Sequence, residues 1–339
     1  MNSPNSALKS RAYRTYLAGA TISLNGLWIY RIALGWFTWE LTRSELWVGL
    51  VAATQFAPAV ILGPIFGVLA DRLDRRAASI LINIASVVNM LVLGLLTSLE
   101  FIDIRSLVLL ALMQGILDGA LAPVRMSIVP NLVSVRQLPN AIALISITFN
   151  MSRVIGPSIA GVLIPVLGVA AAFLVSSVCY LGMVVAMCLI RLSQPAKTNV
   201  ARRQPWVEMV DGARYVFTNT TIRGLLSVTA LSAVFGRGVL EMLPVFADDV
   251  FNGGPKTLAV LTSSIGAGSI LVGLAMSRYS DWVNHQTIRA SLLLSGVLVV
   301  LLGIFNNFFM AILIVASLGA TLSVCDIGSQ ILLQSGIDD

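Results

Sequence analysis

Charge is what this 339-residue chain has least of. Lys, Arg, Asp and Glu together make 11% of it, against 57% hydrophobic residues and a mean hydropathy of +0.89. A soluble domain carries about a quarter charged residues, so a water-soluble fold is excluded and a polytopic membrane protein remains. Histidine is nearly absent too, with His285 alone. The three cysteines, Cys179, Cys188 and Cys325, lie in apolar segments without ligand spacing. That excludes a His-based metal cluster and leaves the cysteines as packing residues, with no cofactor implied. No G-x-x-x-x-G-K-[ST] loop appears, which argues against an ATP-driven pump. No His-x-x-x-His pair occurs and the carboxylates are scattered, so an integral-membrane enzyme lacks its nucleophile–base set or metal site. Nothing resembles a channel filter or a ring of like charges.

What is present is a series of apolar runs, and a span needs about 20 such residues. Ten are predicted: 15–39, 47–70, 77–99, 106–124, 139–165, 168–190, 224–247, 257–277, 287–305 and 308–332. The first follows a short polar stretch with Lys9, Arg11 and Arg14, and no small-residue cleavage site follows it, so it reads as a signal anchor. In this topology sixteen of the 22 Lys and Arg residues fall on one side, among them Arg125 and Arg136. Three (Arg43, Arg105, Lys256) fall on the other and three (Arg31, Arg153, Arg237) within spans. The positive-inside rule then puts both termini in the cytoplasm of a multi-pass inner-membrane protein. The same one-sided distribution explains a net charge of +6 and a pI near 9.6 without nucleic acid.

Three regions follow: an N-terminal six-helix bundle (1–190), a basic cytoplasmic linker (191–223) and a four-helix second bundle (224–339). Within the linker, Trp206, Val207, Val210, Tyr215 and Phe217 recur at roughly helical spacing among charges. That pattern fits an amphipathic helix on the inner membrane face, or equally a solvated linker.

The densest charge in the apolar region is the turn Gly67-Val-Leu-Ala-Asp71-Arg72-Leu-Asp-Arg75-Arg76. Its G-x-x-x-D-R-x-x-R-R pattern resembles the loop between helices 2 and 3 of the major facilitator superfamily. Gly273-Leu-Ala-Met-Ser277-Arg278-Tyr-Ser-Asp281 looks like a worn second copy, as expected of transporters built from repeats. A longer stretch agrees, from Gly115-Ile-Leu-Asp118 through Pro123, Arg125 and Pro130 to Asn150-Met-Ser-Arg153-Val-Ile-Gly156-Pro157 and Gly161. It is similar to helices 4 and 5 of the bacterial exporter branch that includes the enterobactin exporter. Arg31-Ile-Ala-Leu-Gly35-Trp36 in the first span agrees as well.

The resemblance implies an all-α integral-membrane fold and a secondary active transporter. Such a carrier would export small amphiphilic molecules, of drug or siderophore type, by alternating access and on a proton gradient. Its implied partners are the small-molecule substrate, a proton or other coupling ion, and membrane lipid. It also implies twelve helices where ten are predicted, so the expectation is a chain lacking helices 11 and 12, with a non-transporting fragment of an exporter or a genuine ten-helix protein as the alternatives. In the family the motif's aspartate faces helix 11, which casts Asp71, Arg72, Arg75 and Arg76 as a conformational latch. Many proton-coupled exporters carry an arginine three residues before a Gln-Gly pair in helix 4. Here Gln114-Gly115 is present, but Ala111 takes that place.

Charges inside spans are costly and default to function. Arg31 has no carboxylate within a turn or two of its own helix, and reads as cavity-lining or, alternatively, snorkelling. Asp118 faces substrate or exchanges protons, or else pairs with Arg125 or the Arg72–Arg76 loop. Gln114, Asn150 and Arg153 join this set. Gly156-Pro157 and Gly161 loosen helix 5 or let it approach a neighbour closely, and Gly63-x-x-x-Gly67 reads as a close-packing face. Arg237 and Glu241, four residues apart, neutralise each other or form a polar patch. Asp326, in a span that carries no basic residue, is a candidate coupling carboxylate.

Overall fold

The computed structural model describes residues 6–190, 238–278 and 284–335, with scattered positions between 218 and 236. The described residues are helical, without a strand among them. The chain divides into two compact units, residues 1–200 and 201–339, which are described separately. Among the described residues, eight helices are long and apolar enough to cross a bilayer.

In the first unit α1 is Arg11–Thr42, α2 Glu45–Arg72, α3 Arg75–Ser98, α4 Ile104–Ile128 and α5 Leu138–Leu189. The starts of α1, α3 and α4 are set by short polar side chains that accept the orphan N–H groups of a first turn. Ser10 accepts from Tyr13, Asp74 from Ala77 and Asp103 from Ser106. The Asp103 carboxyl, outside the spans, is held below its usual range by the Ser106 hydroxyl and backbone N–H.

A straight 52-residue α5 would run about 78 Å at 1.5 Å per residue, far beyond a hydrocarbon core of about 30 Å. Gly168, at φ 84°, breaks it. That left-handed conformation is open to glycine at little cost. The two arms on either side occupy the segments predicted as spans 139–165 and 168–190. The chain keeps helical dihedrals through Gly156-Pro157, so the break lies twelve residues beyond Gly156.

Packing follows from small residues. α1 makes its most extensive contacts with α5, α3 also packs on α5, and α2 pairs with α4. A side-chain carbon added at Gly156 would run into Trp28 and Asn25 of α1, and one at Gly115 would strike the Thr54 carbonyl of α2. Small residues let spanning helices approach until backbones touch. Gly63 and Gly67 differ from the close-packing expectation: a side chain at either meets open space among the described residues. The face of α2 that carries Val60 and Ile61 is exposed, at 79% and 70%.

The N-terminal segment is strapped across the α4–α5 connection. Ala7 N–H donates to Asn140 Oδ1 (2.8 Å), the Ser10 hydroxyl to the Leu132 carbonyl (2.7 Å) and the Tyr13 hydroxyl to the Ala141 carbonyl (2.7 Å).

In the second unit α6 is Gly254–Arg278, α7 His285–Ile304 and α8 Phe308–Ser335. α8 packs on both others. Of the predicted span 224–247, the described residues are helical apart from a turn at Met242: Gly238–Glu241, Leu243–Val245 and then a π-helical stretch, Phe246–Val250. Pro244 removes a backbone donor there and interrupts the ladder. The linker reading over 206–217 and the end of the second motif copy, 279–283, lie outside the described residues.

Candidate functional site

Asp118 is the sole acidic residue within the first six predicted spans. It sits midway along α4, and its Oδ1 accepts from Gln114 Nε2 (3.1 Å) and from the Tyr180 hydroxyl (3.3 Å) in the second arm of α5. Gln114, one turn earlier on α4, is fully buried and fully used. Its Nε2 also donates to Ser86 Oγ (3.3 Å), and its Oε1 accepts from Asn89 Nδ2 (3.2 Å), both on α3. Three helices therefore converge on one carboxylate through side-chain amides and hydroxyls. In a low-dielectric interior such a network holds its members in place, because each lost bond leaves a polar group unsolvated.

Three arginines surround this network. The Arg31 guanidinium lies 5.2 Å from the ring centre of Trp28 and 5.0 Å from that of Phe56. Arg153 shares the Trp28 ring at 5.5 Å. Such cation–π contacts order a guanidinium without neutralising it. Arg125 lies in the last turn of α4, not in the loop where the span 106–124 would leave it. Its Nε and Nη2 are buried among the helices without a hydrogen-bond partner, as are Arg31 Nε, Trp28 Nε1 and the Tyr30 hydroxyl. The charges of both Arg31 and Arg125 act on Asp118 and on Tyr180, so these four groups form one cluster with Gln114. The hydrogen bonds of Asp118 go to Gln114 and Tyr180, not to Arg125, Arg75 or Arg76.

The turn after α2 has a local job. Arg75 and Arg76 open α3, where positive charge opposes the helix dipole, and both reach to the ends of other helices. Arg76 donates through Nε to the Met187 carbonyl and through Nη2 to the Cys188 carbonyl, each at 2.8 Å. Arg75 Nη1 donates to the Ser127 carbonyl at 3.4 Å. They thus cap the last turns of α5 and α4, where exposed carbonyls attract cations. Asp71 and Arg72 are the closing residues of α2.

Among the other predicted residues, Asn150 bonds back to its own helix at Ser146 (2.9 Å). Gly156, Pro157 and Gly161 are buried in α5. Glu241 stands in the short turn before Pro244 and Asp326 in α8, both half-buried. Arg237 lies outside the described residues, and with it the Arg237–Glu241 pairing. The cluster around Asp118 thus joins Arg31 and Gln114 of the predicted set, with Arg153 on its Trp28 side. Tyr180, Ser86, Asn89 and Arg125 were not in that set. α3 did carry a signal: Ser79, Asn83, Ser86 and Asn89 recur at three- and four-residue steps, a polar stripe on one face of an apolar helix.

Apolar helices around a hydrogen-bonded carboxylate and buried guanidiniums define a membrane carrier in its broad class. A family model described as "Transmembrane secretion effector" matches residues 2–335. The chain belongs to that family, within the major facilitator superfamily. It is 26% identical over 319 residues to the staphyloferrin A transporter of Staphylococcus aureus, covering 93% of this chain and 79% of that one. It is 23% identical to macrolide efflux protein A of Streptococcus pyogenes (91% and 77%), and 24% identical to the multidrug efflux pump Tap of Mycolicibacterium fortuitum (80% and 68%). Among solved structures, a bacterial homologue of the human lysosomal transporter Spinster, inward-facing and unoccupied, superposes with a TM-score of 0.70 at 15% identity. It covers 94% of this chain and 74% of that one. The nucleoside transporter NupG gives a TM-score of 0.68 at 14% identity, covering 96% and 82%. At these identities the likeness is one of fold.

Proposed function

We propose that this protein is a secondary active exporter of the bacterial inner membrane, moving small amphiphilic molecules of siderophore or drug type outward by alternating access. It is read as a carrier and not an enzyme, with both termini cytoplasmic and two bundles, 1–190 and 224–339, joined by the basic linker 191–223. The gradient that drives it is the proton gradient, and Asp118 is the coupling group. The observation that carries this reading is a single carboxylate in the apolar interior of the first bundle, held by Gln114 and Tyr180 and flanked by Arg31 and Arg125. A carboxylate so placed gains and loses a proton with a large change in local electrostatics, which is what a coupling site requires. Family membership and the exporters among the relatives support the direction of transport.

Two further roles belong to the same reading. Asp71, Arg72, Arg75 and Arg76 latch the cytoplasmic side, and Gly156, Pro157 and Gly161 form the close-packed part of α5 that shifts against α1 during the cycle. Glu241, Arg237 and Asp326 contribute polar groups from the second bundle, and lipid surrounds both.

Dye efflux from energised vesicles, with and without an uncoupler, tests the proposal. Uncoupler-sensitive export by the native chain and its loss in Asp118→Asn are expected. Export that survives both the uncoupler and the substitution would sink the proton-coupled reading.

A further inference from the structure

The first bundle holds more buried donors than acceptors around Asp118. Arg31 Nε, Arg125 Nε and Nη2, and Trp28 Nε1 all lie out of solvent without a partner. A buried N–H left unmatched costs about 1–3 kcal/mol, more when it belongs to a charged group. Asp118 answers none of these donors, since its hydrogen bonds go to Gln114 and Tyr180. Arg31 rests instead on the rings of Trp28 and Phe56, and Phe149 meets the Trp28 ring edge-on at 5.9 Å. The cluster therefore combines unmet charge-assisted donors with an aromatic wall.

We propose that Arg31 and Arg125 form a binding site for an organic anion with an apolar, ring-bearing body, its carboxylate held by the guanidiniums and its body against Trp28 and Phe56. Charge decides the sign. The guanidiniums around the cluster outnumber the one carboxylate of Asp118, so an anion balances the excess and a cation would add to it. Planar guanidinium forks match a carboxylate in geometry and bind it through charge-assisted hydrogen bonds, about twice the strength of neutral ones. Cation–π contact keeps Arg31 ordered beforehand, so less side-chain freedom is lost on binding. This deepens the exporter reading by naming its cargo class, and rests on it for the step across the membrane. An anion leaving an interior-negative cell is driven by about 2.3 kcal/mol per 100 mV.

The test separates binding from transport by using three matched probes: naphthoate, its neutral methyl ester and naphthylmethylammonium. Binding to the purified full-length chain in nanodiscs is followed by tryptophan fluorescence. Naphthoate is expected to bind about tenfold tighter than either other probe, as one additional charge-assisted contact predicts. Arg31→Gln and Arg125→Gln should each bring naphthoate down to the level of the ester while leaving the ester unchanged, which also reports an intact fold. Arg31→Lys should keep part of the preference, because the charge stays and the fork is lost. Equal binding of the three probes, or tighter binding of the ammonium, overturns the proposal in the native chain alone, whatever the variants do. A preference that survives both glutamine substitutions overturns it as well. Uncoupler-insensitive naphthoate efflux beside an intact binding preference removes the proton-driven reading and leaves the anion site standing.

Discussion

The interior around Asp118 and the α6–α8 crossing use polar residues for opposite ends. At the crossing, nearly every polar group is spent on backbone. Ser269 Oγ donates to the Ile265 and Gly319 carbonyls, Thr262 to Leu258 and Ser323 to Gly319. A side-chain carbon at Gly268 would strike the Ala316 carbonyl, and one at Gly319 the Ile265 carbonyl. Small residues with short hydroxyls make two helices adhere in a solvent that offers no hydrophobic drive for it. Around Asp118 the side chains are long, charged and bonded to one another, and several donors are unmet. One region has spent its polarity on packing. The other holds polarity in reserve, at a cost in stability that points to function.

The largest effect should come from breaking the crossing. Gly268→Leu drives a side chain into the backbone of α8 and should cost about 3 kcal/mol or more. Loss of folded yield and a lower melting temperature in detergent would register it. A neutral outcome would mean that the crossing relaxes more easily than its geometry implies. Asp118→Asn should act mainly on transport. Uncoupler-sensitive transport should fall about a hundredfold while the melting temperature falls by less than with Gly268→Leu, since the amide keeps an acceptor for Gln114 and Tyr180 but leaves Arg31 and Arg125 without their counter-charge. A fall in melting temperature as large as that of Gly268→Leu would make Asp118 structural and erase the contrast.

Tyr180→Phe keeps the ring and deletes one hydrogen bond to Asp118. It should cost about 1 kcal/mol, and move the pH profile of transport without changing the amount of folded protein. Unchanged transport at every pH would remove Tyr180 from the cluster's work. The smallest effect lies outside both regions, at the Asp103 cap of α4. A carboxyl held below its usual range stabilises the fold above that range and loses the contribution as pH falls through its lowered value. Asp103→Asn, also a good cap, should leave neutral stability unchanged and flatten that acid-side dependence below about pH 4. A melting curve that still falls at acid pH to the same extent would assign the dependence to other groups.

The apolar runs made the spans readable along most of the chain, and the lone carboxylate of spans 1–6 made Asp118 stand out. Arg125 was assigned to a loop because charge is counted at span ends. In the fold its long side chain turns back along the apolar helices, and a few positions' difference in where α4 stops changes its surroundings. Gly156-Pro157 reads as a loosened or closely packed stretch, and the helix stays regular there; the left-handed residue is Gly168, where the predicted spans 139–165 and 168–190 meet. Proline limits one dihedral and one donor, while glycine alone opens the region a sharp turn needs.

By itself the sequence determined that the chain spans a membrane many times, which family it resembles and which charges stand inside its helices. These depend on composition and local order, which bilayer thickness and dielectric constrain directly. Tertiary structure decided that Gln114, Tyr180, Ser86 and Asn89 gather on Asp118, that Arg31 rests on Trp28 and Phe56, and that Arg75 and Arg76 cap helices far along the chain. Most of those pairings join residues tens of positions apart, and only the packing of α1, α3, α4 and α5 brings their side chains within bonding distance.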